Sequence, residues 1–145
     1  LSLLAVRGRS EAELAERLRL KGYSAKNIET AVKRCREMGY VNDAGFALER
    51  ARILMRNGRA VGHRVLADLR RHGVDEAVAR AALEQASREF DEEVLFSNIL
   101  ERRFTHFSYR TADDLERRRV VSYFLRRGFS LPQVLSLMNS KDYDG

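Results

Sequence analysis

Residues 64–83 read RVLADLRRHGVDEAVARAAL, and the reading of this stretch decides the fold. Val65, Leu66 and Leu69 recur at the spacing of one helical face. Two arginines, a histidine, Gly73, Val74 and Asp75 follow. A second helical pattern comes next, with Val78, Ala82 and Leu83 expected inward. Gly73 suits the position just past a helix end, where φ is positive and a Cβ is penalised. Asp75 suits the N-cap of the following helix, its carboxylate accepting from free backbone N–H groups. The stretch predicts helix, tight turn, helix.

The pattern occurs three times, around Gly22, Gly73 and Gly128. Four residues before each glycine stands a large apolar residue: Leu18, Leu69, Phe124. Just after each stands another: Tyr23, Val74, Phe129. Two after each is an N-cap type: Ser24, Asp75, Ser130. Basic side chains precede each glycine: Arg19 and Lys21, then Arg70, Arg71 and His72, then Arg126 and Arg127. A period of roughly fifty residues is the signature of a helical repeat. The expectation is an all-α chain, an elongated array of three tandem three-helix repeats. Residues 1–58 form the first, with an N-terminal helix remnant; residues 59–107 form the second; residues 108–145 form the third, cut short.

Outward from the turns, Ser10 with Glu13 makes a capping-box pattern at the first helix. Ile28, Ala31, Val32, Cys35 and Met38 form one stripe on the second. Gly39 ends that helix, and Asn42 or Asp43 caps the third, which Asn57-Gly58 closes. The sixth helix carries Leu95, Phe96, Ile99, Leu100 and Phe104. Residues 104–110 form the longest irregular link, and Thr111 is the expected cap of a long seventh helix. Asp142-Tyr143-Asp144 repeats the aromatic-plus-cap signal, which predicts a ninth helix beyond it. The chain starts at Leu1 without methionine, so a fragment or missing ends are expected. No segment alternates with period two, so no sheet is expected.

The 145 residues carry a net charge of +6, with a sequence pI near 9.9. A basic surplus suits an anionic partner, either nucleic acid or an acidic protein surface, and also suits a plain solvated surface. One cysteine cannot form an internal disulfide, and no apolar run approaches membrane-spanning length. A cytoplasmic protein is expected.

Catalytic candidates fail one by one. His63, His72 and His106 lie at no metal-ligand spacing, and a single cysteine makes no pair. Cys35 sits between Lys33-Arg34 and Arg36, yet its place on the apolar stripe favours packing over reactivity. Residues 58–62 hold two glycines without the Lys-Ser or Lys-Thr of a phosphate loop. Asp113-Asp114 and Glu92-Glu93 stand at helix starts, where the macrodipole explains them. No catalytic constellation, metal site or cofactor is expected. Residues 103–110 mix arginine with Phe104, Phe107 and Tyr109, a mixture that stacks single-stranded bases or plugs a seam between repeats.

The residues also resemble a known family, RecX, the regulator of the RecA recombinase. Arg9-Ser10, Glu13-Leu14, Leu18 and Lys21-Gly22 look like its first-repeat signature. Gly39-Tyr40-Val41-Asn42-Asp43 with Phe46-Ala47 looks like its glycine–leucine–Asn-Asp segment, with Val41 at the leucine. Gly62, Arg64-Val65, Asp68-Leu69 and Gly73-Val74 resemble the second repeat, where His72 replaces the usual lysine and leaves that charge dependent on pH. Residues 124–130, FLRRGFS, match the third.

The resemblance implies a non-catalytic regulator. Family members bind the RecA–DNA filament in its helical groove and inhibit ATP hydrolysis, strand exchange and coprotease function. Filament capping, disassembly and groove locking are all compatible with it. The expected partner is the RecA nucleoprotein filament, with DNA phosphate as a second contact, and the expected state is a monomer. The basic residues at turns and repeat starts are the expected partner-binding set: Arg59, Arg64, Arg70, Arg71, Arg117, Arg118, Arg126 and Arg127. The competing reading is a DNA-binding helix-turn-helix module. Against it, the helix after Gly73 is mostly alanine, valine and glutamate, poor in base-reading side chains.

Overall fold

The computed structural model describes residues 10–38 and 41–144. The expected N-terminal helix remnant at residues 1–6 and the Gly39-Tyr40 end of the second helix lie outside the described residues. Eight helices and no strand occur among the described residues. They are α1 (Glu11–Leu20), α2 (Ala25–Glu37), α3 (Asp43–Arg56), α4 (His63–Arg71), α5 (Glu76–Glu89), α6 (Glu92–Arg103), α7 (Asp114–Arg126) and α8 (Leu131–Asp144).

The three superposed glycines are turns with one hydrogen-bond pattern. Gly22, Gly73 and Gly128 have φ of 92°, 80° and 108°. Each donates its N–H to the carbonyl three residues back: Arg19, Arg70, Leu125. The next residue donates to the carbonyl five back: Tyr23 to Leu18, Val74 to Leu69, Phe129 to Phe124. That pair of bonds is the Schellman motif, and it brings the residue after the glycine against the helix position five before it. The paired apolar positions flanking each glycine are this contact. A fourth copy closes α3, where Gly58 (φ 67°) donates to Met55 and Arg59 to Leu54. The residue after Gly58 is Arg59, so the apolar half of the signal is missing there.

Caps set the helix starts, with two departures from expectation. Asn42, one of the two expected candidates, caps α3, its Oδ1 accepting from Gly45 at 3.0 Å. Asp43 turns outward from its own helix and accepts the Glu11 N–H at 2.8 Å, holding the first turn of α1. Asp113, not Thr111, caps α7, accepting from Glu116 at 2.8 Å, so the helix starts later than expected. Asp142 is not a helix cap. It lies within α8 and accepts from Ser108 Oγ at 3.2 Å and from the Arg110 N–H at 2.8 Å, tying down the irregular link.

The chain forms two compact units, Leu1–Ala51 with Leu66–Gln85, and Arg52–Val65 with Ala86–Gly145. The first has an aliphatic core of Leu14, Leu18, Val32 and Val41, with Ile28, Ala31 and Cys35 packed on it. Ser10 is fully buried there. Its Oγ accepts from Glu13 at 3.2 Å and donates to the carbonyl of His72, so one capping box joins the start of α1 to the Gly73 turn. Buried Asp68 accepts both Nε and Nη2 of Arg50, at 2.8 and 3.0 Å, joining α4 to α3.

The second unit has an aromatic core. Phe96, Phe124 and Phe129 are buried with centroids 4.2–5.8 Å apart, in tilted and edge-on arrangements. Burying each stabilises by about 1.5–3 kcal/mol. Val61, Val65, Ile99, Val120, Val134 and Met138 are also buried in this unit. The Val61 N–H donates to the Arg127 carbonyl at 2.8 Å, so the Gly128 turn lies directly against the chain before α4.

Candidate partner-binding surface

The eight arginines expected to meet a partner fall in both units, Arg70 and Arg71 in the first and the other six in the second. Their surroundings separate them. Arg59, Arg118 and Arg126 are exposed and carry no ion-pair partner among the described residues. Arg71 is 78% exposed at its side chain and reaches Asp68 only at 3.5 Å. These four guanidiniums are available to an anion.

Arg64 is exposed, but its Nε donates to the Arg126 carbonyl, which fixes its stem along the Gly128 turn. Arg70 is bidentate to Glu76 at 2.7 and 2.9 Å. The hydrogen bonds from Arg70 hold the Glu76 carboxyl below its usual range, and Arg80 adds to this. A solvent-exposed pair of this kind adds little to stability, because water screens it.

Arg117 and Arg127 are half-buried. Arg117 donates to the carbonyls of Tyr109 (2.6 Å) and Arg110 (2.9 Å), and lies 4.8 Å over the Tyr109 ring. Arg127 lies 3.5 Å over the ring of Tyr123, one helical turn earlier. Burial lowers its pKa, with the charges of Arg103 and Arg126 adding to the effect. A flat guanidinium covers an aromatic face well, so both side chains serve the fold where they stand.

Three arginines outside the expected set share the free surface of the second unit: Arg102, Arg103 and Arg119. The signal for the first two was legible, because they are adjacent basic residues in the last turn of α6, the position that carries basics before each glycine turn. Among the described residues no group of three or more His, Cys, Asp or Glu could hold a metal ion. No helix among them is long and apolar enough to cross a membrane.

This is an all-helical protein of the repeated helix–glycine turn–helix class, with cationic side chains at its turns and helix ends. The description "RecX, first three-helix domain" matches residues 1–35. The regulatory protein RecX of Syntrophotalea carbinolica is 46% identical, over 90% of this chain and 85% of its own length. That of Trichlorobacter lovleyi is 31% identical, over 89% of this chain and 84% of its own. The crystal structure of RecX from Lactobacillus salivarius superposes with a TM-score of 0.70 at 21% identity, covering 93% of this chain and 86% of that one. The chain belongs to the RecX family of regulatory proteins.

Proposed function

We propose that this chain is a non-catalytic, cytoplasmic regulator of the RecA recombinase. As a monomer it binds the RecA–DNA filament in its helical groove and inhibits ATP hydrolysis, strand exchange and coprotease activity. It is read as three repeats, residues 1–58, 59–107 and 108–145, and the identical hydrogen bonding at Gly22, Gly73 and Gly128 supports that reading. The observation that carries the function is the family membership, through 46% identity over most of the chain to a regulatory protein RecX.

The physical means is a set of weak charged contacts. Arg59, Arg118 and Arg126 in the second unit have no ion-pair partner among the described residues, and Arg71 in the first is exposed and only loosely paired with Asp68 at 3.5 Å. A nucleoprotein filament offers carboxylates and phosphates at regular spacing, so several such contacts on one chain add through effective concentration.

The test is inhibition of RecA ATPase on single-stranded DNA by the full chain. Replacing Arg59, Arg71, Arg118 and Arg126 together by alanine is expected to weaken inhibition strongly, to flatten its salt dependence, and to leave the helical signal intact. A folded quadruple variant that inhibits as well as the parent removes these residues from the contact surface. Tighter binding to bare duplex than to the filament replaces the whole reading with direct DNA recognition.

A further inference from the structure

The aromatic-arginine mixture at residues 103–110 is only partly consumed by the fold. Tyr109 is covered by Arg117. Phe104 is half-buried, its ring centroid 6.2 Å from that of Phe124. It stands edge-on to Tyr123 at 5.1 Å, and both line a hollow of about 640 Å³ in the second unit. Ile99, Asn57, Arg102 and Arg103 complete its walls, and no carboxylate lines it. Gly58 lies at its edge, where a Cβ would come within 3.1 Å of the Ile99 side chain.

The charge here is not neutralised from within. Arg102 and Arg103 are exposed and have no ion-pair partner among the described residues. The Arg103 guanidinium lies 4.8 Å over the Tyr123 ring, which the Arg127 guanidinium also covers at 3.5 Å. The Nε of Arg127 is buried without a hydrogen-bond partner. Aromatic and apolar side chains and the guanidiniums of Arg102 and Arg103 therefore line the hollow together. A guanidinium fork matches phosphate oxygens, an aromatic edge and an aliphatic neighbour suit a heterocyclic base, and the volume is in the range of small-molecule sites.

We propose that this hollow binds one nucleotide unit, with the phosphate on Arg102 and Arg103 and the base against Ile99 and Phe104. The filament reading does not require it. Two sources offer the same chemistry, a free nucleoside triphosphate and one nucleotide of a single strand.

Two probes separate them: a fluorescent adenosine triphosphate analogue and a fluorescein-labelled thymidine 12-mer, each titrated with the full chain at physiological salt. Saturable binding of either supports the site, and the one that saturates names the source. Arg102→Glu is expected to weaken it about tenfold, since it reverses the charge of an exposed residue that partners nothing else. Asn57→Asp, which adds a negative charge to the wall without touching an arginine, is expected to weaken it as well. Lys26→Glu makes the same charge change as Arg102→Glu on the first unit and is expected to leave binding unchanged. The proposal is overturned if neither probe saturates below about 1 mM, or if Lys26→Glu and Arg102→Glu weaken binding equally. RecA inhibition is measured in parallel. Nucleotide binding without RecA inhibition sinks the filament reading and leaves the hollow standing, whereas inhibition without nucleotide binding does the reverse.

Discussion

The turns at Gly22 and Gly128 have the same sequence pattern, the same sign of φ and the same two backbone hydrogen bonds, yet their surroundings have nothing in common. A Cβ on Gly22 would meet no atom within 4 Å. A Cβ on Gly128 would fall 1.9 Å from the Val61 carbonyl oxygen and 2.9 Å from its carbon. Gly73 lies between them, with a Cβ placed 2.3 Å from the Ala12 Cβ. The i, i+4 pair that ends just before each glycine differs too. It is Arg17 with Lys21 at the first turn, Asp68 with His72 at the second, and Tyr123 with Arg127 at the third. The first pair repels, the second has His72 Nδ1 at 3.4 Å from Asp68, and the third stacks cation on ring. One local motif can thus be a free helix end or a packing joint.

The largest expected effect is at the third turn. Gly128→Ala must leave the left-handed region or displace a backbone carbonyl whose own N–H is bonded to Arg127, so unfolding in urea should show a loss above about 4 kcal/mol or no folded protein. A loss no greater than that of Gly22→Ala would erase the distinction between the turns. Gly22→Ala carries only the φ penalty, about 1–2 kcal/mol.

Gly73→Ala should cost about 2–4 kcal/mol, the φ penalty plus overpacking against Ala12. The excess is steric, so it should shrink in the Gly73→Ala, Ala12→Gly double variant relative to the sum of the two single changes. A double-mutant cycle with no coupling would mean that the contact is relieved by a backbone shift instead.

The second turn also carries the Asp68–Arg50 pair. The Arg50 hydrogen bonds hold the Asp68 carboxyl below its usual value of 3.8. A lowered folded pKa stabilises fully above the unfolded value and is lost as pH falls through the folded one. Stability should therefore fall below about pH 4 in the parent. Asp68→Asn should cost about 1–3 kcal/mol at neutral pH and should remove this share of the acid dependence. Equal acid slopes in parent and variant would assign the loss to other carboxyls.

The smallest effect separates adjacent residues. Arg127→Ala uncovers Tyr123 and should cost about 0.5–2 kcal/mol in thermal unfolding. Arg126→Ala should stay within about 0.5 kcal/mol, because its side chain is exposed and has no ion-pair partner among the described residues. Equal costs would mean that the stacking of Arg127 carries no weight and that both remain plain candidates for the partner surface.

The sequence by itself determined the helices, the glycine turns and most caps, because these are local. A Schellman turn needs one residue free of a Cβ and two apolar neighbours at set positions, and an N-cap needs one short polar side chain before a helical run. The resemblance to RecX was legible for the same reason, since its motifs are these turns in order. Tertiary structure alone decided the rest. Asp43 was one of two candidate caps for α3 and holds α1 instead, and Asp142 carried a cap-like signal and binds the link at Ser108 and Arg110. Both carboxylates satisfy N–H or O–H groups more than thirty residues away, which no local pattern encodes. The arginines divide in the same way. Their charge is written in the sequence, but whether a guanidinium is free, paired or laid on a ring depends on what the fold brings within about 4–6 Å of it. So Arg126 remains available to a partner while Arg127, its neighbour in the chain, is held by Tyr123.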